Sequence, residues 1–248
     1  MLEINNINFS FGRSGKLLDN ISISFEKGKI YSLMGTNGSG KTTLFNILSG
    51  FLRQKSGMIS FKNIDITNTP PYIRSNSGLG RTFQDLRIVP KLSVKENIIL
   101  AMKGNPTDKW YNSVLPEVLF KTKLEALKST ADKLISGYFL GDIKDSLASE
   151  ISFGQQKLLT LACCAAGGAD LLLLDEPIAG INPEYMKLIA VLLKQLKETG
   201  KTVFFIEHNT EFISSVADSV FFLDQGKIKE YGNVAEMSND SYVKEAYL

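Results

Sequence analysis

Apolar and polar residues alternate along residues 2–11 and again through Ile21-Ser22-Ile23-Ser24-Phe25. That period of two marks half-buried strands. Gly12-Arg13-Ser14-Gly15-Lys16 separates them as a turn. A further pair, Met58-Ile59-Ser60-Phe61 and Ile64-Asp65-Ile66, flanks Lys62-Asn63, so a small antiparallel sheet is expected. Within that region Ile30-Tyr31-Ser32-Leu33-Met34 is uniformly apolar enough for a buried strand, and Thr43-Leu44-Phe45-Asn46-Ile47-Leu48 suits a helix.

The period then changes. Gly80-Arg81-Thr82-Phe83-Gln84 ends a strand, and Asp85-Leu86-Arg87 reads as loop. Ser93 with Glu96 three residues on forms a capping box that opens a helix over 94–103. Residues 104–116, with Gly104, Pro106 and Pro116, are loop-like. Phe120, Leu124, Leu127, Ala131, Leu134 and Tyr138 follow helical spacing. Residues 87–158 therefore read as a helical subdomain inserted into a core formed by 1–86 and 159–248.

Strand–helix alternation returns in the last third. Leu171-Leu172-Leu173-Leu174 has the continuous apolar run of a parallel strand covered on both faces. Asn182 caps a helix with Pro183 at its first position, striped by Tyr185, Leu188, Ile189, Leu192, Leu193 and Leu196 and stopped by Gly200. Thr202-Val203-Phe204-Phe205-Ile206 is the next buried strand. Val220–Leu223 and Ile228–Tyr231 form a hairpin around Gln225-Gly226. The fold class is α/β, with a mostly parallel sheet beside the antiparallel one.

Composition narrows the function. At 248 residues the chain has ample core for one large domain or two small ones. Its 28 basic against 26 acidic residues leave a net charge of +2, which gives no support for a nucleic-acid surface. No run of about 18 apolar residues offers a membrane span. The first residues lack the pattern of a signal peptide, so a cytosolic location is expected. Cys163 and Cys164 are adjacent in an apolar helical run; they read as buried free thiols, too few for a zinc site.

The chemistry sits in Gly35-Thr36-Asn37-Gly38-Ser39-Gly40-Lys41-Thr42-Thr43. This is the G-x-x-x-x-G-K-T pattern of an NTPase phosphate loop, in the strand-then-helix context it needs. Gly35, Asn37, Gly38, Ser39, Gly40 and Thr43 shape a cradle of backbone N–H groups at a helix N-terminus. Lys41 reaches the outer phosphates, and the Thr42 hydroxyl is a candidate Mg²⁺ ligand. Asp175-Glu176 at the end of the Leu171–Leu174 strand supply the other half: Asp175 for the metal, Glu176 as general base toward water. His208, the single histidine, also closes a strand, where it can contact a γ-phosphate. Phe11 offers a face to a nucleotide base, though alone it fits a core aromatic better.

With these residues in order, the chain resembles the ATP-binding subunits of ABC transporters over essentially its full length. Gln84 looks like that family's Q-loop, and Ile151-Ser152-Phe153-Gly154-Gln155 like its signature. The resemblance implies ATP and Mg²⁺ as ligands and a P-loop NTPase core. It implies two ATPase subunits, identical or related, facing head to tail, with Ser152, Gly154 and Gln155 of one closing over the γ-phosphate held by the other. It implies that Gln84 senses Mg²⁺ and water and that Asn182 falls in the loop contacting the opposing subunit. It raises Phe11 as the base-stacking aromatic. It also implies transmembrane permease subunits, whose cytoplasmic helix docks in a groove between Gln84 and the helical insert, and a peripheral place on the cytoplasmic face of the membrane.

Arg81-Thr82-Phe83-Gln84, Glu176 to Pro183, Ile206-Glu207-His208 and Glu245-Ala246-Tyr247-Leu248 look more narrowly like branched-chain amino-acid importer ATPases, with lipopolysaccharide-export ATPases as near relatives. The implied cargo is a branched-chain or other small amino acid. Two features depart from the family: Phe153 replaces a glycine, and Cys163-Cys164 stand where arginine is usual. The rival readings are a soluble ABC-type ATPase of repair, translation or iron–sulfur assembly, and a degenerate module that closes on ATP without turnover. The missing long coiled coil and the single core argue against repair and translation relatives. Lys41, Asp175, Glu176 and His208 argue against the degenerate module.

Overall fold

The computed structural model describes residues 1–12, 15–83, 86–104 and 121–247. Gln84 and Asp85, turn residues 13–14 and the segment 105–120, which includes Pro106, Pro116 and Phe120, lie outside the described residues. The chain begins β1 (Leu2–Phe9), β2 (Leu18–Phe25), β3 (Ile30–Gly35), α1 (Lys41–Leu48), β4 (Ser56–Phe61) and β5 (Ile64–Asp65). It continues α2 (Pro71–Ser77), β6 (Leu79–Arg81), α3 (Val94–Ala101), α4 (Lys121–Gly137), α5 (Phe153–Ala166) and β7 (Leu171–Asp175). It ends α6 (Pro183–Glu198), β8 (Thr202–Ile206), α7 (Thr210–Val216), β9 (Ser219–Asp224), β10 (Lys227–Tyr231), α8 (Val234–Asn239) and α9 (Ser241–Tyr247).

Two sheets result. The first, in the order β2-β1-β4-β5, is antiparallel throughout. The second runs β10-β9-β3-β8-β7-β6. Its strands from β9 to β6 are parallel, and only β10 turns back on β9. The β9–β10 hairpin turns at Gln225 and Gly226, both at positive φ (44° and 74°), the backbone of a two-residue type I′ turn.

β3, β7 and β8 are buried at every residue, because this sheet is covered on both faces. Alternate residues divide between two cores. Val203 and Phe205 face the helices α3 to α8, with Met34, Leu172, Leu174 and Phe222. Phe204 and Ile206 face the antiparallel sheet and α1, with Leu33, Leu173 and Phe221. There Phe25 lies 4.7 Å from Phe204 and 5.6 Å from Phe221, ring centre to ring centre, and Phe45 lies 5.0 Å from Phe204. Each such pair adds about 0.5–1.5 kcal/mol beyond its buried area.

Several expected boundaries shift. The first strand stops at Phe9 rather than residue 11, and its alternation breaks between Ile4 and Ile7. Asn6 at φ 55° makes that irregularity, held by Ser22 Oγ at 2.9 Å and Asn20 Oδ1 at 2.6 Å. The α3 helix ends at Ala101 instead of residue 103, and β6 ends at Arg81. The α1 helix starts at Lys41 rather than Thr43, which puts the lysine on its first turn. The short helices α2, α7, α8 and α9 were not expected. The capping box of α3 and the Asn182 cap of α6 are present as read: Ser93 accepts from the Glu96 N–H at 3.2 Å, and Asn182 from the Tyr185 N–H at 3.0 Å.

Candidate active site

The loop between β3 and α1 is set by close approach. A side chain on Gly35, at φ 148°, would collide with the backbone oxygen of Leu223 at the end of β9. Gly40 precedes α1 in a left-handed conformation, with no side-chain cap on the helix. The first-turn N–H groups therefore have no protein oxygen supplied by a cap, and with the helix dipole they form an anion cradle. The Ser39 hydroxyl is buried there with no hydrogen-bond partner among the described residues. Lys41 is itself buried, and its ammonium donates to the carbonyls of Gly35 and Thr36, each at 2.9 Å. Burial lowers its pKa, opposed by the charges of Glu176 and Asp175.

Asp175 closes β7 and is buried. Burial pushes its carboxyl pKa up, with the Arg81 guanidinium as the main opposing charge at 3.7 Å. Arg81 is anchored by Asn46 Oδ1 at 2.7 Å and Ser49 Oγ at 2.6 Å on the far side. Thr82 Oγ1 accepts from the Asp175 N–H at 3.2 Å. Glu176 follows at φ 49°, a left-handed conformation that costs a non-glycine residue about 1–3 kcal/mol. It is fixed from both ends: its N–H donates to Ile206 O at 3.1 Å, and its carbonyl accepts from the Lys157 ammonium at 2.8 Å.

Beyond β8, the buried Glu207 accepts from the N–H groups of Ile178 at 3.0 Å and His208 at 3.1 Å. Its carboxyl thus pins the turn after Glu176 to the turn that presents His208. Burial raises the Glu207 pKa. The His208 pKa is lowered, first by burial and then by the Lys41 charge.

One cavity of about 510 Å³ gathers Phe11, Asn37, Gly38, Gly40, Lys41, Thr42, Thr43, Glu176 and His208, with Leu17 and Ile206. Phe11 is 56 % exposed rather than a core residue, its ring edge-on to Phe9 at 4.9 Å. Gly35, Ser39 and Asp175 do not line it. Ser152, Gly154 and Gln155 are not in it; they begin α5. There Ser152 Oγ accepts from the Gln155 N–H at 3.4 Å and Gln155 Oε1 accepts from the Ser152 N–H at 2.8 Å, a full capping box. Gly154 lies under Tyr185: a Cβ there would be 2.6 Å from the ring. Phe153 is 46 % exposed and has the Lys157 ammonium 5.5 Å from its ring centre.

The profile of the family described as ABC transporter matches residues 18–179 of this chain. The chain belongs to the ABC transporter ATPase family. A probable branched-chain amino acid transport ATP-binding protein LivG of Archaeoglobus fulgidus is 34 % identical over 233 residues, 94 % of this chain and 90 % of the relative. The corresponding LivG of Methanocaldococcus jannaschii is 32 % identical over all of this chain and 97 % of its own length. A nucleotide-free ATP-binding cassette from an ABC transporter superposes with a TM-score of 0.84 at 33 % identity, over 100 % of this chain and 98 % of the cassette. A cassette in its ADP conformation gives 0.84 at 31 % identity with the same coverage. The fold is thus that of an ABC ATPase, and the protein is an ATP-binding, ATP-hydrolysing subunit of that family.

Within this ATPase several supporting residues had no signal in the sequence. Lys157 follows Gln155 and Gln156 in the second turn of α5, where a lysine reads as surface, yet it is buried. Glu207 was legible as a strand end, yet nothing assigned it a partner. Arg81 belonged to a recognisable segment, but its packing between Asn46, Ser49 and Asp175 depends on α1 lying across β6 and β7.

Proposed function

We propose that this ATPase powers uptake of branched-chain amino acids through transmembrane permease subunits, working as a pair with a second copy or a related ATPase subunit. The observation that carries the ATP chemistry is the shared cavity of Lys41, Thr42, Glu176 and His208. The cargo rests on the full-length likeness to the LivG relatives.

In this reading Lys41 keeps its bond to the Thr36 carbonyl and turns its remaining donors from Gly35 to β- and γ-phosphate oxygens, and the first turn of α1 receives the remaining phosphate charge. Phe11 covers the base. Glu176, held by its backbone, accepts a proton from the attacking water, and His208 donates toward the γ-phosphate. Asp175 and the Thr42 hydroxyl are hard oxygen donors of the kind Mg²⁺ takes, and the buried Asp175 carboxylate gains most from a cation. Held by Asp175 and Thr42, Mg²⁺ would supply positive charge toward the phosphate oxygens. Gln84 keeps its proposed role as the sensor that links this site to the permease.

Ser152, Gly154 and Gln155 present a capped helix N-terminus that completes the site across the pair, with Asn182 near the same contact. For the permease, a cavity of about 240 Å³ lies between the proposed core (1–86 and 159–248) and the proposed helical subdomain (87–158). Arg81, Phe83, Arg87, Ala101 and Cys163 line it, and the half-exposed Phe51 has its ring centre 5.4 Å from that of Phe83. A short amphipathic helix fits such a groove. No described helix is long and apolar enough to cross a membrane, and we place the ATPase at the cytoplasmic face of one through its permease.

The test is Glu176→Gln in cells and in purified protein. It keeps ATP affinity, traps an ATP-loaded dimer and stops ATP-driven leucine, isoleucine and valine uptake. Hydrolysis at the wild-type rate would remove Glu176 from the base role. Unchanged uptake of all three amino acids in a deletion strain would remove the cargo.

A further inference from the structure

Thr36 is the second residue of the phosphate loop, and it is held at both ends. Its carbonyl accepts the Lys41 ammonium at 2.9 Å. Its hydroxyl donates to Asp224 Oδ1 at 2.6 Å. Asp224 closes β9 and is only 6 % exposed. Its other oxygen accepts the Tyr242 hydroxyl at 2.8 Å. Tyr242 stands in the first turn of α9, near the end of the chain.

The outer end of this relay is itself anchored. The Tyr242 N–H donates to Asp240 Oδ1 at 2.9 Å, and Asp240 Oδ2 accepts Tyr231 at 2.8 Å and Lys229 at 2.5 Å, both on β10. The Tyr242 ring meets Phe222 edge-on at 6.5 Å. The inner end has no slack, because the Leu223 carbonyl occupies the space where a Gly35 side chain would go. The last two residues of β9 therefore set where the loop begins.

We propose that Asp224 is a positioning residue for the phosphate loop, and that Tyr242 makes the C-terminal helix α9 part of the same support. A buried carboxylate with a hydroxyl on each oxygen makes strong, charge-assisted bonds. That bond holds the Thr36 hydroxyl against the end of β9 and so restrains the backbone that carries it. The carbonyl that aims the Lys41 ammonium is thereby set before phosphate arrives, and no binding energy is spent ordering it. The relay rests on the reading of Lys41 as a phosphate ligand.

The experiment is ATP titration by calorimetry on the full chain, with thermal melting as the check on folding. Thr36→Val weakens ATP about three- to tenfold, the effect of one lost hydrogen bond, while Thr36→Ser binds as wild type. Tyr242→Phe, which removes one hydroxyl on the outer side, weakens ATP about two- to threefold. Both losses shrink in a Lys41→Ala background, because the relay acts mainly through that ammonium, with the Ser39 N–H at 3.2 Å as the other donor to the Thr36 carbonyl. Wild-type affinity in Thr36→Val overturns the proposal. Affinity lost in Thr36→Val but kept in Tyr242→Phe overturns the part assigned to α9. Losses that persist undiminished beside Lys41→Ala reduce the relay to plain structural support and overturn it as well. If Lys41→Ala alone binds ATP as wild type, the lysine reading falls first and takes the relay with it.

Discussion

The ammonium of Lys157 donates a 2.8 Å hydrogen bond to the backbone carbonyl of Glu176, one residue beyond the end of β7. Through that bond α5 holds the glutamate in a left-handed conformation it would not choose alone. Lys157→Met keeps the stem and removes the donor. We expect hydrolysis to fall about ten- to a hundredfold through misplacement of the base, with ATP affinity within about twofold of wild type. Steady-state kcat beside a binding titration separates the two effects.

Gly154 and Tyr185 form a pair of opposite sizes. A Cβ at 154 would sit 2.6 Å from the Tyr185 ring, so Gly154→Ala must shift α5 against α6. The expected cost is about 1–3 kcal/mol in denaturant unfolding. Tyr185→Ala in the same chain should return much of it, and a double mutant as unstable as the sum of the singles would contradict the clash.

Arg74 is 2 % exposed, and among the described residues its hydrogen-bond acceptors include no carboxylate. Its guanidinium instead caps the C-terminus of α1, donating to Ile47 O at 2.7 Å and Leu48 O at 2.8 Å, and to Thr67 O at 3.1 Å. Arg74→Met strips Leu48 O of its donor, while Ile47 O keeps the Gly50 N–H at 3.1 Å and Thr67 O the Gln54 amide at 3.4 Å. We expect a loss of about 2–4 kcal/mol, read as a lower urea midpoint at unchanged slope.

Asp170 precedes β7 and takes ion pairs from Lys62 and, at 2.9 Å, from Lys201. The Lys62 hydrogen bond, helped by Lys201, lowers its pKa from 3.8 to about 2. The folded pKa lies below the unfolded one, so the stabilisation is complete above pH 4 and is lost as pH falls through about 2. Both partners are partly exposed and screened, so the effect is about 1 kcal/mol or less. The stability gap between wild type and Asp170→Asn should be flat above pH 4, close as pH falls to 2, and shrink in added salt.

The elements that announced themselves in the sequence are those whose side chains face one environment throughout. β7 and β8 are apolar at nearly every position because both faces are covered, and α6 carries its stripe and its Asn182 cap. The phosphate loop, Asp175, Glu176 and His208 were legible because their spacing is tied to strand ends. Helix α2 was not: it is seven residues long, and the residue it buries is Arg74, which reads as surface. The break in β1 was hidden because Asn6 looks like one more polar position in an alternating run. Thr36, Asp224 and Tyr242 are far apart in the chain, and only the placement of β9 beside β3 brings them together.

β3, β8 and β9 send alternate side chains to opposite faces, so neighbouring residues such as Phe204 and Phe205 belong to different cores. Neither core owns a strand that the other can spare. Loosening one face exposes the backs of the very residues that fill the other. The two halves are therefore bound to lose their order together, and heat or denaturant should meet one cooperative unit where a layered drawing suggests two.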